Sequence, residues 1–150
     1  MKKLYVAGLL VVCLHFVHIL SAQPPVKQQI PDKPLQFSRL PEKFECDFTV
    51  LKTVSSSRTE DQVTLQFGKF TFTGQVAERV QKSAYVESVN IRSTNYPGAL
   101  FNISIHNQPG QPQRITGRII NPQSGDVLVL VEENNRYYLQ KVPQKFFMTE

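Results

Sequence analysis

From Phe44 onward the apolar positions recur at every second residue. FNISIH, residues 101–106, shows the rule: Phe101, Ile103 and Ile105 alternate with Asn102, Ser104 and His106. Successive side chains of a strand point to opposite faces, so this stretch has an apolar face and a polar one. The same period predicts strands at 44–52, 62–67, 70–77, 85–92, 99–106, 113–120, 126–132 and 136–142. Turn chemistry separates them. Gly68-Lys69 suits a two-residue type II′ hairpin, and Asn134-Asn135 can take positive φ at another tip. Pro97-Gly98, Pro109-Gly110 and the run Asn121 to Gly125 punctuate the rest.

Short connections make successive strands antiparallel neighbours. Exposed edges invite aggregation, so about eight meander strands are expected to form an all-β fold, a small antiparallel β-barrel or β-sandwich. Residues 76–84 leave an alternative. Val76, Ala77, Val80 and Ala84 fit a short helix packed on the sheet, an α+β fold, while their parity equally fits a strand continuing from Phe70. DVLVLVE, 126–132, is apolar on both parities and reads as a strand covered on both faces, by the proline-rich tail or by Phe146-Phe147-Met148.

The hairpins predict a register. Turns near Asn95–Gly98 and Pro109-Gly110 align three inner rows: Ile91–Phe101–Ile119, Val89–Ile103–Gly117 and Glu87–Ile105–Ile115. Three outer rows follow: Asn90–Asn102–Arg118, Ser88–Ser104–Thr116 and Val86–His106–Arg114. FNISIH thus belongs to an outer patch of amides, hydroxyls, two arginines and a histidine, with no carboxylate.

The ends of the chain change the picture. Met1-Lys2-Lys3 is a basic n-region, Leu4 to Leu20 is mostly apolar, and Ser21-Ala22 is a small-residue cleavage context. Residues 1–22 therefore read as a secretory signal peptide and not as an anchor, since His15 and His18 interrupt a run already short for a span. Export to a secreted or periplasmic location follows, with no stable membrane insertion after cleavage. Residues 23–43 hold Pro24, Pro25, Pro31, Pro34 and Pro41 and read as an extended tail, unless Ile30, Leu35, Phe37 and Leu40 pack across the domain. Residues 44–150 form a single β domain.

Charge and chemistry narrow the function. The net charge is +5, and loss of Lys2 and Lys3 lowers it; with no basic run, a nucleic-acid partner is not expected. Cys46 is the one cysteine beyond the leader, and in FECDFTV it shares a parity with Phe44, Phe48 and Val50, so it is expected to be buried and inert. His106 is the one histidine beyond the leader, which argues against a His-rich metal site, and no cofactor is implied. Ser104 and His106 lie about 6–7 Å apart along one strand and point in parallel, which does not suit a nucleophile and its base. Asn102-Ile103-Ser104 matches a glycosylation sequon placed in mid-strand.

Three classes of function remain. The first is a secreted, non-enzymatic binding module that contacts a protein or glycan through its loops and one polar face. Its candidate contacts are Asn90, Asn102, Ser104, His106, Arg114 and Arg118, with Tyr96 in a turn and Tyr138 facing outward. The second is a carrier holding a small apolar ligand among Phe44, Phe48, Phe67, Phe70, Phe72 and Phe101. The third and least favoured is a hydrolase. It would need Glu78 or Glu87, both on inward parities, as a desolvated carboxylate in a pocket, unless a strand end or bulge puts the charge back in water.

Overall fold

The computed structural model describes residues 33–144. The predicted leader, the first part of the proline-rich tail and Phe146–Met148 lie outside them. Among the described residues the chain is mostly β: eight antiparallel strands in one curled, half-barrel sheet, with a short helix. The strands are β1 (Lys43–Cys46), β2 (Gln62–Phe67), β3 (Phe70–Ser83), β4 (Val86–Ser93), β5 (Leu100–His106), β6 (Arg114–Ile120), β7 (Asp126–Glu133) and β8 (Arg136–Pro143). The helix α1 (Phe48–Ser56) carries the chain from β1 to β2. The sheet order is β1-β8-β7-β6-β5-β4-β3-β2, so β1 and β2 are its two edges and α1 joins one edge to the other.

The turns follow their residues. Gly68 has φ 59° between β2 and β3, and Asn134 and Asn135 have φ 51° and 60° between β7 and β8. The register of β4, β5 and β6 is the one read from the hairpins, in all three inner and all three outer rows. On the inner side, Val89, Ile91, Phe101, Ile103, Ile105, Ile115 and Ile119 are buried. Two inward glycines let the strands approach closely. A Cβ on Gly117 would lie 2.6 Å from the Asn102 carbonyl oxygen, and one on Gly74 would lie 2.5 Å from that of Arg92.

Two stretches depart from the expected pattern. The segment expected as a strand over 44–52 is a strand only to Cys46, and from Phe48 it is helix. Asp47 is the N-cap, its carboxylate accepting from the Thr49 amide at 2.7 Å. Leu51 and Val54, three residues apart and so on one side of the helix, are fully buried in the concave core. Tertiary burial has overridden the strand preference of Thr49, Val50, Thr53 and Val54.

The second departure is at 76–84, where no helix forms and the α+β alternative falls. β3 runs through to Ser83 with irregularities between Val76 and Glu78 and between Gln81 and Ser83. At the first, Ala77 is the extra residue, because Val76 pairs with Ile91 and Glu78 with Asn90. One extra residue reverses the faces beyond it. Glu78 and Val80 now pair with the outward residues Asn90 and Ser88, and Arg79 pairs with the inward Val89. The expectation that Glu78 points inward is therefore corrected.

Arg79 turns beneath the sheet to the end of the helix. Its Nε and Nη2 donate to the two Glu87 carboxylate oxygens at 2.8 and 2.6 Å. Its other N–H groups donate to the carbonyls of Val54 (2.9 Å), Ser55 (3.2 Å) and Ser57. All the N–H donors of the guanidinium are used. The last carbonyls of α1 gain charge-assisted partners, and a cation sits at the negative end of the helix. The two side chains are 17% and 26% exposed, so solvent screens the pair only in part.

Residues 33–42 lie along the domain as a strap. Phe37 is buried in the core, with its ring 5.7 Å from that of Tyr96. Asp126, itself buried, accepts from the amides of Gln36 and Phe37 at 2.9 Å each and from the Ser124 hydroxyl at 2.5 Å. Farther along, Lys141 donates from Nζ to the Leu40 carbonyl at 2.7 Å and from its amide to the Glu42 carbonyl at 2.8 Å. At the start of β7, Val127 and Leu128 are both fully buried, as a strand apolar on both parities requires.

The Arg79 junction predicts an order of stabilities. Arg79→Ala should lower the unfolding free energy by about 3 kcal/mol, because it orphans helix carbonyls and a half-buried carboxylate together. Glu87→Ala should cost less, about 1–2 kcal/mol, because the guanidinium keeps its carbonyl partners. Urea unfolding of both variants measures this, and an equal or greater loss for Glu87→Ala would refute the capping role.

Candidate functional site

Three strands build the convex polar face. β4, β5 and β6 present Asn90, Asn102 and Arg118 in one row, Ser88, Ser104 and Thr116 in the next, and Val86, His106 and Arg114 in the third. The amides form a ladder across the strands. Asn102 Nδ2 donates to Asn90 Oδ1 at 2.5 Å, and Asn90 Nδ2 donates to Glu78 Oε2 at 2.9 Å. The ladder orients each amide and leaves the rows as a fixed array of donors and acceptors. It also corrects the view that the patch lacks a carboxylate, since the bulge at Ala77 delivers Glu78 to it.

His106 and Ser104 do not form a pair. The imidazole Nε2 lies 3.2 Å from the Thr116 hydroxyl on the neighbouring strand. Arg114 turns off the face toward the end of the sheet, where its Nε lies 3.2 Å from Glu132 Oε2. Of the predicted contacts, the structure thus brings Asn90, Asn102, Ser104 and Arg118 onto one surface and places His106 and Arg114 at its rim.

The two tyrosines differ. Tyr96 is half-buried, its ring within 5.7 Å of Phe37 and 5.4 Å of Phe70, and burial raises its pKa. The turn that carries it packs on the core, so its ring is only partly open to solvent. Tyr138 faces outward, with Lys43 Nζ 4.4 Å from its ring centroid. Glu87 keeps its inward position, but both of its oxygens are committed to Arg79. Inside the sheet, the phenylalanines are packed on one another: Phe72 against Phe101 at 5.5 Å, Phe67 against Phe70 at 6.2 Å, and Phe44 against Phe70 at 5.4 Å.

An open groove of about 500 Å³ lies beside the rim of the convex face. Its walls are the β5–β6 loop, the β7–β8 hairpin and the start of α1, through Gln113, His106, Arg114, Glu132, Tyr137 and Phe48. Alternate hairpins of a meander return to the same end, and the end of β1 pairs with the start of β8, so these segments converge. The convergence could have been read from the strand order alone. What hid it is that β1 and β8 are distant in sequence, and that Phe48 was assigned to a strand and not to the first turn of a helix.

Tyr137 organises the floor of the groove. Its hydroxyl accepts from the Ile115 amide at 3.2 Å and donates to Glu132 at 3.4 Å. Phe48 stacks on its ring at 5.5 Å and 19°. Burial is the first cause of a raised Tyr137 pKa; the Ile115 amide opposes it and the Glu132 carboxylate adds to it.

Cys46 is buried beneath a second, smaller hollow that shares Phe48, Asn135 and Tyr137 with the groove. Burial pushes its thiol up from 9.0 to about 12, a hydrogen bond to the Leu139 backbone lowers it in part, and the Glu45 carboxylate adds to the rise. A thiol that keeps its proton is a poor nucleophile. Cys46 should therefore react with a disulfide reagent at pH 8 only after unfolding, and rapid labelling of the native protein would contradict its burial. Because the folded state holds this proton more tightly, the contribution of Cys46 to stability is complete below pH 9.0 and is lost as the pH rises toward about 12.

No protein-family model matches the chain, and no curated protein or solved structure matches it.

Proposed function

We propose that this chain is an exported, non-catalytic binding module that engages a glycan or protein partner through its convex polar face and the adjoining loops. The observation that carries the reading is the amide ladder Glu78–Asn90–Asn102, which holds hydrogen-bonding groups in fixed positions on a continuous three-strand surface. A preordered polar array loses little freedom when a partner binds. The carboxylates near it are tied to amides or cations, Glu78 to Asn90 and Glu132 to Arg114. That arrangement suits recognition better than proton transfer, which favours a desolvated carboxylate or a base held against its nucleophile. The basic, apolar and small-residue order of the first 22 residues supports export.

The alternative of a carrier meets an obstacle. Leu51 and Val54 of α1 fill the concave side against the phenylalanines, so an apolar ligand would have to displace the helix and break its Arg79 cap. The hydrolase reading is weaker still, since Glu87 is paired and Glu78 faces outward.

The reading is tested by screening the exported protein against arrays of soluble glycans and of extracellular protein domains, then repeating the positives with a variant carrying Asn90→Ala and Arg118→Ala. Binding to a member of either array should weaken at least tenfold in the variant while the melting temperature stays within a few degrees. Binding that survives the double change sinks the role of the convex face. Uptake of a fluorescent fatty acid by the native protein, with no binding on either array, would favour the carrier.

A further inference from the structure

We propose that the end groove is a subsite for a neutral oligosaccharide, with Glu132, Arg114 and Gln113 binding hydroxyl groups beside an apolar wall formed by Phe48. The proposal rests on the binding-module reading and names both a site and a ligand class within it.

Charge is the first argument. Arg114 and Glu132 are the formally charged side chains of the groove, and they lie 3.2 Å apart. A paired guanidinium and carboxylate cancel at a distance but keep unused donors and lone pairs close by. An anionic ligand would be met by Glu132 and a cationic one by Arg114. A polyol is repelled by neither. Its vicinal hydroxyls can donate to the carboxylate and accept from the guanidinium, in charge-assisted hydrogen bonds that carry no net charge into the site.

The second argument is an unused acceptor. Gln113 donates from Nε2 to Asn107 Oδ1 at 2.7 Å, yet its Oε1 is buried with no hydrogen-bond partner. A buried acceptor left unsatisfied costs free energy, and a turn of the Gln113 side chain toward a hydroxyl donor in the groove would recover it. The third is the wall. Phe48 is partly buried against the core and stacked on Tyr137, so the edge of its ring that lines the groove is held at fixed orientation beside polar groups. Pyranose rings have that same division, with C–H groups on their faces and hydroxyls around the edge. A mostly preformed, open groove of about 500 Å³ can hold part of a chain and leave the remainder to run along the convex face.

The test is a titration of the native protein, followed by amide NMR and calorimetry, with three neutral probes (maltohexaose, cellohexaose and chitohexaose) and one anionic probe, a heparin hexasaccharide. One neutral probe is expected to shift the amides of Gln113, Glu132 and Asn135. Gln113→Ala and Glu132→Gln should each weaken that probe at least tenfold. Glu132→Gln should also raise affinity for the anionic probe, because Arg114 is then uncompensated. Arg118→Ala, on the adjoining convex face, should weaken neutral-probe binding less than either groove variant does. Melting temperatures near that of the native protein establish that each variant is folded, and the opposite responses of Glu132→Gln to neutral and anionic probes are not produced by mere loss of structure. Three results overturn the inference. One is tighter binding of the anionic than of any neutral probe to the native protein. Another is neutral-probe binding lost with Arg118→Ala but kept in both groove variants, which moves the glycan to the convex face and leaves the binding-module reading standing. The last is no response to any saccharide; a protein-domain partner found on the array would then uphold the broader reading without the groove.

Discussion

The guanidinium of Arg79 is the point on which the architecture turns. A single curled sheet has a concave apolar face, and something must cover it. Here the cover is a helix, Phe48–Ser56, that is too short to persist on its own in water. Burial of Leu51 and Val54 provides one attachment, through apolar contact that has no direction. Arg79 provides the directional one: it joins the last carbonyls of the helix to Glu87 on the sheet. The ion pair and the cap depend on each other. Without Glu87 the arginine would keep its helix carbonyls but lose its countercharge, and without Arg79 the glutamate would be an inward carboxylate opposite Gln81.

Much of this fold was legible because a meander keeps its information local. Turns at Asn95–Gly98 and at Pro109-Gly110 fix strand pairs, and parity then assigns faces, so the rows through Phe101, Ile103 and Ile105 could be written down in full. Two things escaped that logic. The helix did so because Thr49, Val50, Thr53 and Val54 satisfy a strand pattern as well as a helical one over so short a span, and the deciding signal, Asp47 as N-cap, looks like any outward polar residue of a strand. The bulge at Ala77 did so because an extra residue leaves no mark of composition; its trace was the apparently misplaced Glu78. Of the two readings of that violation, a carboxylate in a pocket or a bulge that returns the charge to water, the structure shows the bulge.

The candidate site was legible to a different extent. Residues on one strand or on neighbouring strands, such as Asn90, Asn102 and Arg118, assemble as parity demands. Groups that depend on strand ends do not. The Arg114–Glu132 pair crosses from β6 to the far end of β7, and Phe48 meets Tyr137 because β1 pairs with β8 across most of the chain. The first contact joins residues of opposite parity around the end of two paired strands, and the second follows from the pairing of β1 with β8, which no local window of the sequence shows.

One backbone irregularity links the core to the surface. The extra residue at Ala77 sends two consecutive charged side chains to opposite sides: Arg79 inward to the helix and Glu78 outward to Asn90. Without it, parity would bury Glu78 with no cation opposite, and Arg79 would face solvent. The helix would lose its cap, and the amide ladder would lose the carboxylate that anchors its first rung. A strand that ran regularly through 76–79 would thus damage the concave and the convex faces together. The position of the bulge is therefore coupled to both the stability of the domain and the order of its polar surface, and a substitution that repairs the strand there acts on both at once.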